Sequence, residues 1–190
     1  MKDPNATVRI FLLKSTFIFM AHSSPTNTAG YFQRYINLVA ESNLTDAFNV
    51  HRLKMTDLLE KITEEKALFA YAPGKWTVKQ LMQHIIDTER IFSYRALCFA
   101  RGEKVVLPGF DEDAYADAAT AATRSWQELA EEMKTVRKAT EMLFSSFSNS
   151  MLQQIGTASN NQYSVEQIGF ILLGHFEHHA NILAERYGCQ

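Results

Sequence analysis

SVEQIGFILLGHFEHHANILAER, residues 164–186, decides the fold of this chain. It opens on Ser164 with Gln167 three residues on, the reciprocal pair of a capping box that starts a helix. Ile168, Leu172, His175, His179, Ile182 and Leu183 then follow at helical steps. At about 100° per residue they share one face. The segment is therefore an amphipathic helix, and the stripe it turns inward carries two histidines. An imidazole in a core is costly unless it finds a partner. One metal ion partners two at once, and an i,i+4 histidine pair has the reach for shared coordination. His178, three residues after His175, leaves a second pairing open, but it falls nearer the flank of the stripe and the pattern favours His179.

Outward from this helix, three more segments show the same period. Leu44, Ala47, Phe48, Met55, Leu58, Leu59 and Ile62 mark the first main helix. Thr77 and Gln80 make a second capping box, which begins the second main helix; it runs to about Arg101, and Gly102 stops it. Ser125 and Glu128 make another box, ahead of a third main helix with Leu129, Met133, Val136, Thr140, Leu143, Phe144 and Phe147 on one face. Tyr31 to Val39 reads as a short helix before them. The connection GEKVVLPGFDEDAYADAA, residues 102–119, is longer than a bundle turn needs, and such loops often cover something functional. The expectation is an all-α fold: a four-helix bundle with a long crossover between the second and third main helices. No stretch shows strand alternation.

At 190 residues the chain suits one domain with a full core. It holds 8 Gly and 4 Pro, too few for the many turns of an all-β fold. The formal charge is −2 and no basic run occurs, so the stripe that displaces counterions from nucleic acid is missing. Two cysteines, Cys98 and Cys189, cannot form a secreted-type disulfide framework. They read as free thiols in the cytoplasm, Cys98 in the core and Cys189 incidental to the terminus. The polar cluster Ser23–Thr28 separates an N-terminal extension, 1–28, from the bundle, 29–190. The apolar run Ile10–Ala21 is shorter than the roughly 20 residues of a membrane span. Lys14, Ser15 and Thr16 interrupt it, which also makes a poor signal peptide. The extension reads as loosely packed, with Met20 the natural start.

A third ligand must come from another helix. His84 stands among Leu81, Ile85 and Ile91 on the second main helix and is the best placed; His51, on the first, is the alternative. Three histidines with an open fourth position is the pattern of a catalytic rather than a structural site. Imidazole donors suit zinc, nickel, copper or iron. Asp87, one turn from His84, is the first choice for a carboxylate that orients an imidazole or acts as general base; Glu89 and Glu177 are further candidates. Arg90 and Arg95 read as helix-surface charge, with the holding of an anionic thiol as their functional alternative. Trp76, beside the second helix cap, reads as a packing anchor, and Phe110 to Tyr115 as the mouth of a pocket.

These residues resemble the DinB-like superfamily, the DinB/YfiT-like metalloenzymes, over about Tyr31 to Tyr187. The resemblance is carried by Tyr71-Ala-Pro-Gly-Lys-Trp76-Thr-Val, Gln83-His84-Ile-Ile-Asp87-Thr-Glu89-Arg90 and Leu107-Pro108-Gly-Phe-Asp111-Glu-Asp113-Ala-Tyr115. It continues in Gly174-His175-Phe-Glu-His178-His179 through Arg186-Tyr187. It implies a four-helix bundle, often dimeric, with a three-histidine metal site. His84 matches the histidine of the second helix, and His175 and His179 the first and last of the fourth; His178 matches a position that is not a ligand. Some relatives of this kind transfer low-molecular-weight thiols such as bacillithiol to electrophiles, or use mycothiol in an isomerisation, and many have no known activity.

The function expected is a metal-dependent enzyme acting on a small molecule. Its cofactors would be one divalent transition metal, zinc, nickel or iron, and a low-molecular-weight thiol. A bacillithiol-like S-transferase is the leading form. A metal-dependent hydrolase and a non-enzymatic metal-binding stress-response protein are the alternatives. A homodimer is expected, with no nucleic-acid or membrane partner.

Overall fold

The computed structural model describes residues 30–189. The 1–28 extension and the Met20 start lie outside the described residues. The order is α1 (Gly30–Ile36), α2 (Leu44–Lys61), α3 (Glu64–Ala67), α4 (Val78–Ala100), α5 (Glu112–Ala118), a 3-10 turn (Ala121–Thr123), α6 (Trp126–Ser145), α7 (Asn149–Leu152), β1 (Ile155–Ala158), β2 (Asn161–Ser164) and α8 (Val165–Tyr187). The four main helices are α2, α4, α6 and α8. All three capping boxes form, on Thr77, Ser125 and Ser164. Each satisfies backbone donors that a helix start leaves open. Gly102 follows α4 with φ +83° and Gly188 ends α8 with φ +66°, a left-handed conformation that glycine adopts without steric cost.

The bundle is built around α8. It packs against α4 and α2 along its length, and α6 closes the far side against α4 and α2. The short α1 lies directly on α8. This contact depends on Gly174, because a methyl group there would overlap the Tyr35 carbonyl. Backbone therefore meets backbone one residue before His175. The Tyr35 ring, brought down with it, stands edge-on to His175 and His178 with centroids 5.4 Å away in each case. Deeper in the bundle Arg137, fully buried, donates through Nε and Nη2 to the two carboxylate oxygens of Glu89, each at 2.8 Å. Breaking such a fork would strand a charge in the core.

Two features differ from the sequence reading. A β-hairpin, β1 paired antiparallel with β2, stands between α7 and α8. Its strands are four residues each, too short to show alternation, and its turn residues Ser159 and Asn160 both have positive φ, the two-residue hairpin geometry without the Asn-Gly signal. The crossover between α4 and α6 is the second difference, because it is not a plain loop: it contains α5 and is fastened to the hairpin. The Leu107 N–H donates to the Thr157 carbonyl at 3.0 Å, and the Ser159 N–H to the Leu107 carbonyl at 3.1 Å. Arg95 completes this fastening. It is buried against the Phe92 ring and donates to the Pro108 carbonyl and to Ser159 Oγ, both at 2.9 Å. It is not surface charge. Cys189 is buried too, its N–H bonded to the Leu183 carbonyl at 3.0 Å, while Cys98 is half-buried. Among the described residues no helix is long and apolar enough to cross a membrane.

Gly174→Ala should lower stability by about 1–3 kcal/mol, the usual cost of overpacking, as read by chemical denaturation. A variant within a few tenths of wild type would show that the close approach of α1 to α8 is not a constraint.

Candidate metal centre

Three imidazoles from two helices converge inside the bundle. His84 comes from the second turn of α4, and His175 and His179 come one turn apart on α8. His175 Nε2 lies 3.2 Å from His84 Nε2 and 3.1 Å from His179 Nε2. His84 and His175 are buried; His179 is half-buried, at the cavity side. The α4–α8 contact sets the spacing, and the rings are braced from outside. Trp76 stacks obliquely 5.1 Å from His84, and Tyr35 meets the edge of His175.

Burial removes the charge from this cluster. It pushes His84 down to about 4, against the opposing influence of the Asp113 carboxylate. It pushes His179 down to about 2, helped by repulsion from His84 and His178. His175 is held well below the ordinary histidine range, by burial first and then by its two neighbours. Neutral imidazoles are the form that ligates metal. Three neutral rings pointing their Nε2 atoms at one another cannot all be satisfied as donors and acceptors, and the buried Nδ1 of His179 has no hydrogen-bond partner. A shared cation resolves the conflict. Two nitrogens bound tetrahedrally to zinc at about 2.0–2.1 Å stand about 3.3 Å apart, close to the separations seen here. The donor set thus fits one divalent transition metal, and these are the three residues among those described whose donor atoms cluster within 4.8 Å. It suits zinc, nickel, copper and iron alike.

On the His179 side the cluster borders a cavity of about 280 Å³. Trp76, Tyr71 and Tyr187 form its aromatic wall, and Asp113, in the first turn of α5, looks onto it from the crossover. The stretch Phe110–Tyr115 therefore does contribute to a pocket, through Asp113. A smaller recess on the other side joins His175 to Tyr35, Thr88 and Glu112. Burial raises the Glu112 carboxyl, and Asp113 beside it adds to the effect.

The other sequence candidates sit elsewhere. His51 is buried between two carboxylates, 3.5 Å from Glu41 and 3.4 Å from Glu177, and does not join the cluster. Glu177 is engaged there and with Lys54 at 3.5 Å, and Glu89 is engaged with Arg137. The Asp87 carboxylate accepts from Gln83 Nε2 at 3.0 Å and lies 3.8 Å from Arg90; burial raises it. Arg90 pairs with Glu132 at 2.6 Å. His178 is turned toward Tyr35 rather than into the cluster. What the residue pattern alone did not single out is Asp113; its signal was the length of the crossover, which says that something is covered but not by which side chain.

The family description of the DinB superfamily matches residues 47–183, so this chain belongs to the DinB superfamily. Among solved structures it is similar to YfiT from Bacillus subtilis, described as a probable metal-dependent hydrolase with an unusual four-helix bundle topology. The likeness covers 88% of this chain and 94% of YfiT, with a TM-score of 0.65 at 15% identity. At that identity it establishes the shared fold. No curated protein matches.

Without metal, the lowered histidines make stability depend on pH with a definite sign. An unfolded histidine takes up a proton near pH 6.5, whereas folded His84 does so only near 4. Below about pH 6.5 the unfolded chain binds more protons, so its share of the equilibrium grows as pH falls. The melting temperature of metal-free protein should therefore drop between pH 7 and pH 5, and less steeply in His84→Gln. Raised carboxyls such as Asp87 and Glu112 act in the opposite sense, so the difference between the two proteins is the readout. Equal slopes would show that His84 is not held neutral by the fold.

Proposed function

We propose that this chain is a metal-dependent enzyme that holds one divalent transition metal on His84, His175 and His179 and acts on a small electrophilic molecule. The observation that carries this reading is the convergence of three neutral imidazole Nε2 atoms beside a cavity large enough for a small ligand. A bound divalent ion would supply Lewis-acid activation of a thiol or a water. The chain's own residues do the rest. Tyr35 and Trp76 hold the imidazoles in place. The aromatic wall would keep water away from one side of the cavity, and Asp113, the carboxylate that lines it, would take the proton released by the nucleophile. Asp87, proposed from sequence for that role, is committed to Gln83 and Arg90 and fits a supporting position instead.

The first form of the reading is transfer of a low-molecular-weight thiol, bacillithiol-like, to an electrophile. A carbon–sulfur bond forms, the leaving group departs with its electron pair, and the thiol proton passes to a carboxylate or to solvent. The second form is hydrolysis, favoured by the description of YfiT, a structure of the same fold, as a probable metal-dependent hydrolase. An ion that merely fixed the bundle would not need the adjoining cavity.

The metal-loaded protein should be assayed with a thiol and 1-chloro-2,4-dinitrobenzene, and separately with 4-nitrophenyl acetate. Turnover that requires the thiol and falls at least about 100-fold in His175→Ala, the scale of losing a ligand-supported step, supports S-transfer. Thiol-independent ester cleavage lost in the same variant selects hydrolysis. Neither reaction, from protein shown to carry its metal, would count against an enzymatic role.

A further inference from the structure

The cavity beside His179 has walls of two kinds, and together they narrow what it can take. Tyr71, Trp76 and Tyr187 give it flat apolar faces. These are fixed in advance: the Tyr187 hydroxyl donates to the Trp76 carbonyl at 2.7 Å, and the Tyr71 and Tyr187 rings stand edge to face with centroids 5.0 Å apart. At the rim are two cations. Lys75 lies in the connection that leads into α4, and Arg186 lies in the last turn of α8; both are exposed. Arg186 Nη1 donates to the Tyr71 hydroxyl at 3.2 Å, and its guanidinium lies 5.5 Å from that ring centroid. Neither cation has an ion-pair partner among the described residues.

Against these two cations the cavity lining presents one carboxylate, Asp113. The histidines add no negative charge, because an all-imidazole donor set leaves the charge of a bound dication uncompensated. A cleft with an excess of one sign and low-dielectric walls concentrates ligands of the other. Its volume, about 280 Å³, falls at the low end for small-molecule sites and suits a compact ligand.

We propose that this cavity selects a compact organic anion, a carboxylate carried on a flat apolar body. Lys75 and Arg186 hold the carboxylate and the aromatic wall holds the body. The proposal names the substrate class of the enzyme proposed above and rests on that reading for the placement of the reacting bond near His179.

The test compares phenylacetate with phenylacetamide, its neutral counterpart of nearly equal shape, using tryptophan fluorescence of zinc-treated and metal-free protein. The chain has two tryptophans: Trp76 lines the cavity, while Trp126 is buried and donates to the Leu59 carbonyl. Phenylacetate should bind roughly tenfold more tightly than the amide, the equivalent of about 1.4 kcal/mol. That preference should vanish in the Lys75→Gln/Arg186→Gln double variant, and the fluorescence change should vanish in Trp76→Phe. Equal binding of acid and amide, or binding of neither, would overturn the proposal. So would a preference that survives the double variant, since the metal or another group would then be reading the charge. A signal that survives Trp76→Phe would place the ligand elsewhere and overturn it as well. If the chain takes up no zinc, the enzymatic reading fails, while the preference measured on metal-free protein still decides the role of the two cations.

Discussion

Three uncharged imidazoles aimed at one point inside a helical bundle form the constraint on which the rest of this structure depends. Each ring gives up its hydration on burial, and the cluster has no complete set of hydrogen bonds to replace it. Burial also suppresses the protonation that would otherwise let the rings escape as cations. A sequence that keeps such an arrangement in its core accepts a cost to stability that a shared cation can offset. The arrangement then defines everything around it: which helices must touch, where backbone must approach backbone, and which side of the cluster stays open.

The surrounding structure supplies that placement in layers. The contact between α4 and α8 brings His84 Nε2 to 3.2 Å from His175 Nε2, and the one-turn spacing on α8 brings His179 Nε2 to 3.1 Å from it. Gly174 lets α1 rest on the backbone of α8, so that Tyr35 braces His175 from one side while Trp76 braces His84 from another. The crossover is fixed to α4 and to the hairpin by Arg95 and by backbone bonds around Leu107, which holds α5 and its carboxylate Asp113 against the cavity. A long connection is thus fastened to α4 and the hairpin ahead of the segment that lines the cavity.

Much of this was legible in the sequence because it is periodic and local. The three capping boxes and the four apolar stripes are short-range patterns, and each gives the helix it implies. The His175/His179 pair was legible for the same reason, since a one-turn spacing on an apolar stripe is a statement about one helix face. His84 needed a tertiary contact that no spacing specifies; its apolar setting marked it as buried, and the family pattern matched it to a ligand position. The hairpin was not legible, because four-residue strands carry no readable alternation and Ser159-Asn160 lacks the glycine that usually marks such a turn. Arg95 was misread as surface charge because its partners, the Pro108 carbonyl and Ser159 Oγ, belong to segments distant in sequence. Glu89 and Glu177 resembled site residues by proximity along the chain and His51 by residue type, yet Glu89 pairs with Arg137, Glu177 with Lys54, and His51 lies buried between Glu41 and Glu177.

The central claim is that the histidine cluster is a metal site, and metal content measures it most directly. Protein purified without added metal or a histidine tag should contain about one divalent ion per chain, and His84→Ala, His175→Ala and His179→Ala should each lose it while remaining helical. Protein that carries no metal, and takes up neither zinc nor nickel nor iron tightly when offered them, would contradict the account and leave the three imidazoles as an unexplained polar cluster in the core.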